Sequence, residues 1–369
     1  MLISGQILLP DPHRAARLTP GQVRLDGRRI SEVSTSDKPI GTPDVGCENC
    51  LISPGFIDTH LHLPQFDCLG IDGLTLLDWL DKAVFPTEAR WADADHAGDR
   101  TTRAAKRLLA AGTTGIAAYA TVHHEGTKSA MRAIQASGMR AIVGQVLMDQ
   151  HAPPELLRPA KQLLAEAAAL KATGRVEVAV TPRFAVSCSD ELLKGAGDLA
   201  ARTNAPIQTH LSETIPECDL VHKFHGGTAL TRGTALPSRD PITYTDVYRR
   251  AGLLTDRTIL GHGIWLSPAE QQIIREAGSV IAHCPTANLF LQAGAMDRAA
   301  RLHANIRLGL GSDIAGGPDA SMPRVARAMI ETAKSRALAC HGHPARTSDP
   351  HTSAHAIPTP AEAWAQITW

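Results

Sequence analysis

From Leu51 onward the chain repeats one pattern: a short apolar, β-prone run, then a longer stretch with helical periodicity. Such alternation calls for parallel strands joined by helical crossovers. Strands are expected at Leu51–Ile57, Gly115–Tyr119, Arg140–Leu147, Val176–Thr181, Pro206–His210, Thr258–Gly261, Ser279–His283 and Ile306–Gly309. Helices are expected at Leu74–Val84, Ala97–Ala111, Lys128–Ala136, Pro159–Leu170 and Asp190–Arg202. About eight such units is the count of an α/β fold of the (β/α)8, TIM-like barrel type. A doubly wound open sheet is the competitor. It is disfavoured because no Gly-x-Gly-x-x-Gly follows an early strand.

The first fifty residues read differently. Ile3–Leu9, Gln22–Leu25 and Ile30–Val33 are short strand candidates, with Asp26-Gly27 as a turn between two of them. They hold too little apolar content to stand alone. The expected division is residues 1–53 as the N-terminal strands of a small β domain and 54–369 as the barrel.

Lys+Arg and Asp+Glu are equal at 37 each, so no global charge draws the chain to nucleic acid or an anionic membrane. No secretory signal is legible at the start, and no apolar run approaches the ~20 residues of a membrane span. Seven scattered cysteines do not form a disulfide framework, so a reduced, cytoplasmic setting is expected. Cys47-Glu48-Asn49-Cys50 reads as two ordinary thiols near a strand, because no second pair follows and no helix start is evident.

The polar residues fall in one place in the pattern. His60 and His62, Arg183, His210, His262, His283 and Asp313 each stand at or just past the end of an expected strand. In a barrel those ends meet on one face, where active sites lie. On an extended strand His60 and His62 point to the same side. Three or four imidazoles with one carboxylate suit Zn²⁺, with Fe²⁺ as competitor. A divalent ion there acidifies water, and Glu213, three residues past His210, is the natural carrier of a proton. Asp313 is expected both to ligate the metal and to accept a hydrogen bond from the nucleophile. His283 reads as a pocket residue or a neighbour of a ligand. The chemistry is metal-assisted hydrolysis.

These motifs resemble the amidohydrolase superfamily, whose signature is His-x-His, His, His and Asp on barrel strands. Within it the chain is similar to the guanine deaminase family. Pro54–His62 running into Gln65, Leu76–Leu80 with Trp79, and Phe85-Pro86-Thr87-Glu88 carry part of that likeness. Thr181-Pro182-Arg183-Phe184, His210-Leu211-Ser212-Glu213, His262-Gly263, Ala282-His283-Cys284-Pro285 and Gly309–Asp313 follow in the family's order. The resemblance implies hydrolysis of guanine to xanthine and ammonia with one zinc per subunit, and a homodimer. His60, His62, His210, His262 and Asp313 would be ligands and Glu213 the proton shuttle. Gln65 and Arg183 would bind the purine, and Trp79 and Phe184 would line the pocket. Gln offers a donor and an acceptor, and Arg a fork of donors, to a planar lactam edge.

Two departures are expected. His222 to about Pro241 reads as a longer loop near the pocket mouth. The chain stops within a helix after Thr359-Pro360, where relatives continue and complete a β-sandwich-type small domain, so its C-terminal half is expected to be missing. His341, His343, His351 and His355 read as an exposed loop and not a second metal site. The alternatives are deamination or dechlorination of another heterocycle, such as oxidised guanine or a triazine, and a catalytically dead binding relative.

Overall fold

A computed structural model describes residues 1–11, 15–35, 39–225, 242–341 and 357–368. The loop expected at 222–241 falls mostly outside the described residues, as do His343, His351 and His355.

Eight strand positions close into a barrel. β5 (Phe56–His62), β6 (Thr113–Tyr119), β7 (Arg140–Gly144) and β9 (Val176–Val178) pair in parallel in that order. β8 (Val146–Leu147) and β10 (Thr181–Pro182) continue β7 and β9 as a short second pair. β11 (Ile207–Leu211), β12 (Thr258–His262), β13 (Val280–His283) and β14 (Arg307–Leu310) form the other half. Two seams join the halves. Gln208 N–H donates to the Val180 carbonyl at 3.1 Å, and Asp313 N–H to the His60 carbonyl at 2.8 Å. The second seam runs through the candidate site itself.

The N-terminal strands are β1 (Leu2–Asp11), β2 (Ala15–Asp26), β3 (Arg29–Ser34) and β4 (Val45–Ile52), in the order β3-β2-β1-β4. Among the described residues this is one sheet and not a sandwich. Its buried Leu8 and Ala16 pack on Ala365 of the helix Pro360–Gln366. That helix carries a full capping box, with Thr359 and Glu362 satisfying each other's backbone N–H groups. It also holds the barrel, since Ile57 N–H donates to the Ile367 carbonyl at 2.7 Å.

Two sequence expectations need correction. Leu51–Ile57 is not one strand: β4 ends at Ile52 and β5 begins at Phe56. Pro54 has no N–H for a ladder, and a Cβ on Gly55 would stand 2.2 Å from the Thr114 hydroxyl. The chain therefore changes sheets there. The helix expected at Leu74–Val84 begins at Leu76 and runs on to Ala92, but not regularly. α-helical Leu76–Trp79 passes into a wider π turn at Leu80–Val84, then α-helical Phe85–Ala89 and a 3-10 turn at Arg90–Ala92. Wide turns of this kind often re-aim side chains at functional sites.

Candidate metal centre and pocket

The strand ends deliver the residues that the sequence points to. His60, His210, His262 and Asp313 each offer one ligand atom, all within 4.8 Å of one another; His60, His262 and Asp313 are buried and His210 is largely so. His60 Nε2 stands 3.3 Å and His62 Nε2 3.5 Å from Asp313 Oδ1. His62 lies outside the four-residue group, yet its Nε2 is 3.0 Å from that of His210.

The imidazoles are oriented from behind. The Arg183 carbonyl can only accept, so His210 Nδ1–H donates to it at 2.6 Å and Nε2 turns its lone pair inward. His262 does the same through Asn288 Oδ1 at 2.9 Å. Such outer hydrogen bonds fix the tautomer that a metal requires. Burial pushes His60, His62 and His210 well below the usual histidine range, which keeps them neutral. Neutral, inward-facing nitrogens crowded this closely suit a shared cation. His60 Nε2, His262 Nε2 and Glu213 Oε1 have no hydrogen-bond partner although buried, an arrangement that costs free energy unless something else engages them. The donor set and these orphaned atoms fit a divalent metal ion.

The backbone is shaped to this end. His262 and Asp313 adopt φ of 68° and 48°, and Ser212 one of 47°. Non-glycine residues rarely occupy this region, and those that do cluster at functional sites. A Cβ on Gly261 would stand 2.8 Å from the His60 ring, and one on Gly311 2.7 Å from His60 Cβ. Small residues at these two strand ends make room for the imidazole between them.

Glu213 follows β11, with Oε2 3.4 Å from His262 Nε2. Burial raises its carboxyl well above the ordinary range, and the nearby Asp313 and Glu217 carboxylates add to this. Burial also lifts Asp313 to about 6. A cation at the cluster would act in the opposite sense on both. Beneath the site Glu217 Oε2 accepts from the backbone N–H groups of Glu213 and Thr214 at 2.9 and 3.1 Å, and Tyr244 donates to Oε1 at 2.7 Å. Asp58, buried and lifted by that burial to about 7, accepts from the Ser312 N–H and hydroxyl and so clamps β5 to the Asp313 segment.

A pocket opens above the cluster. His62, Gln65, Trp79, Arg183, Phe184, His210, Glu213, His262 and Asp313 line it, with Leu76, Leu80 and Leu291 as further apolar walls. Gln65, Arg183, Trp79 and Phe184 are thus brought together with the cluster. His283, expected in the pocket, is not among its lining residues. It ends β13 as a buried imidazole, pushed down to about 3 by burial and then by the nearby Arg298 charge.

Sequence reasoning gave no role to Glu88, which organises one wall. Both its oxygens accept from Arg183 Nη1, at 2.8 and 2.7 Å, and Gln65 Nε2 stands 3.5 Å from Oε1. Both partners of the ion pair are buried, and the Arg183 guanidinium lies 5.6 Å from the Phe85 ring centre. Its sequence signal was its place in Phe85-Pro86-Thr87-Glu88, where it is one of several acidic residues in that helical stretch. Asn288 and Glu217 were missed for the same reason: each works through a residue distant in the chain or along a helix.

The chain belongs to the amidohydrolase family, whose model matches residues 51–352. Among curated relatives it is 36% identical over 294 residues to a guanine deaminase of Dictyostelium discoideum, covering 78% of this chain and 62% of that protein. It is 36% identical over 279 residues to human guanine deaminase, covering 73% of this chain and 58% of that one. The chain thus spans about three-fifths of the length of these relatives. Among solved structures it resembles the guanine deaminase of C. acetobutylicum with bound guanine, at 29% identity and a TM-score of 0.86, covering 99% of this chain and 84% of that one. The guanine deaminase of Bradyrhizobium japonicum is similar at 27% identity, also with a TM-score of 0.86, over 100% of this chain and 81% of that one. Among the described residues no helix is long and apolar enough to cross a membrane.

Proposed function

We propose that the protein hydrolyses guanine to xanthine and ammonia at the β5–β11–β12–β14 face of the barrel. The observation that carries this reading is the meeting of Gln65 and Arg183 with Glu213 and the His/Asp cluster in one pocket. Kinship with guanine deaminases supports it.

His60, His62, His210, His262 and Asp313 would hold the metal. Zinc suits this mixed nitrogen and oxygen set best, with Fe²⁺ as competitor. When bound, the ion supplies Lewis acidity that makes hydroxide available near neutral pH. Glu213 then takes a proton from the attacking water and returns it to the amine as the C2–N bond breaks and ammonia leaves. Its buried position lets the carboxyl hold that proton between the two events.

Recognition falls to the opposite wall. With Gln65 Nε2 turned to Glu88, the buried Oε1, which has no other partner, is the acceptor left for a ring N–H. Arg183 carries five N–H donors, and only Nη1 engages Glu88, so the guanidinium has donors left for a lactam oxygen. Trp79 and Phe184 provide apolar walls for a flat heterocycle.

Ultraviolet monitoring of guanine with metal-loaded protein tests the proposal. Conversion to xanthine with stoichiometric ammonia is the expected result. A protein that holds one zinc yet leaves guanine unchanged overturns it.

A further inference from the structure

The register between β1 and β4 contains an unusual jump. Ser4 pairs with Gly46 and Gln6 with Leu51, so four residues of β4 stand opposite the single residue Gly5. Those four are Cys47, Glu48, Asn49 and Cys50. A bulge normally adds one residue, and three additional ones must loop out of the ladder. Gln6 Nε2 holds the loop by donating to the Glu48 carbonyl at 3.3 Å. Gly5 is the residue that permits it, because a Cβ there would lie 2.5 Å from the Cys50 carbonyl oxygen.

The loop turns the two cysteines toward each other. Their Sγ atoms are 2.7 Å apart, both free thiols, with Cys47 exposed and Cys50 half-buried. A disulfide needs an S–S distance of about 2.05 Å, so a shift of under an ångström suffices. On a straight strand i and i+3 would face opposite sides. The bulge removes that objection.

We propose that Cys47 and Cys50 form a redox-active surface dithiol that closes to a disulfide by exchange with low-molecular-weight disulfides. Cys47 is the attacking sulfur. The Cys50 thiol hydrogen bond, and then the Asn49 backbone, hold its thiol below the ordinary range, whereas Cys50 is raised by the same contact. The Cys47 thiolate attacks one sulfur of the small disulfide, forming a mixed disulfide and releasing one thiolate. Cys50, giving up its proton, then attacks Cys47 Sγ and releases the second thiol. Two protein thiols are oxidised and one external disulfide is reduced to two thiols.

Cys68, Cys188, Cys218 and Cys284 are internal controls. All four are buried, and burial raises each thiol, Cys188 to about 12.

The test equilibrates the whole folded chain with reduced and oxidised glutathione at several ratios. Acid quenching, alkylation and peptide mass mapping follow. The expected result is a two-hydrogen mass loss confined, among these six cysteines, to the Cys47–Cys50 peptide and reversed by excess reduced glutathione. Cys50→Ser should stop at a glutathione adduct on Cys47. Cys47→Ser should form its adduct on Cys50 more slowly, because Cys50 is half-buried where Cys47 is exposed. Circular dichroism shows whether each variant keeps its fold. Both thiols remaining fully alkylatable at every ratio would overturn the proposal. So would equal adduct rates in the two folded variants.

Discussion

The pocket has two walls built on different principles. One is the strand-end wall, where His60, His62, His210, His262 and Asp313 ride on β5, β11, β12 and the segment after β14. The other is the wall of Gln65, Trp79 and Arg183, two of which come from the irregular helical stretch between β5 and β6. The first is held by main-chain ladders and by backbone geometry that only a few residues tolerate. The second is held by one buried ion pair, Arg183 to Glu88, across 95 residues of sequence. The wall that would carry chemistry is braced by many weak, redundant contacts. The wall that would choose the substrate depends on one strong contact.

Four substitutions bear on this contrast, from largest effect to smallest. Glu213→Gln should leave metal content at one per chain and lower kcat by about 10²–10⁴, the range of a lost general acid–base group. Retention of most of the turnover, with metal measured by atomic absorption, would remove Glu213 from the proton path. Glu88→Ala leaves the Arg183 guanidinium buried without its partner. A loss of about 3–5 kcal/mol in denaturant unfolding is expected, with KM for guanine raised and metal content kept. If stability and KM are both unchanged, the second wall does not rest on this pair.

Asn288→Ala probes the first wall. His262 would lose the acceptor that fixes its tautomer, so zinc affinity should fall about 10–100-fold in chelator competition, with KM little altered. An affinity equal to wild type would show that strand geometry alone orients His262. Thr359→Ala is the control far from both walls. It removes a helix cap and should cost about 1 kcal/mol, with metal affinity and KM untouched. A change in either would mean that the helix Pro360–Gln366 is coupled to the pocket.

Legibility in the sequence followed the range of the interaction. The barrel strands could be read because each is a local apolar run, and the boundaries failed where β4 passes into β5 and where Arg140–Leu147 and Val176–Thr181 each divide in two. The strand-end wall could be read because each candidate ligand sits at or near the C-terminal end of its own strand. The π turn at Leu80–Val84 could not be read, since its cause is packing and not local composition. Glu88 could not be read, because a carboxylate becomes an anchor only when a distant arginine is folded against it. His283 has a similar offset and ends β13 as a buried imidazole, but it is not among the residues that line the pocket.

The sequence by itself determined the barrel and the candidate cluster of His60, His210, His262 and Asp313, because period-2 and helical patterns, together with strand-end positions, are local properties. Tertiary structure alone decided which tautomer His210 and His262 take, that Arg183 and Gln65 share Glu88, and that Cys47 meets Cys50. Each of these depends on hydrogen-bond or contact distances of a few ångströms between groups whose approach is set by closure of the barrel or by the register of the small sheet.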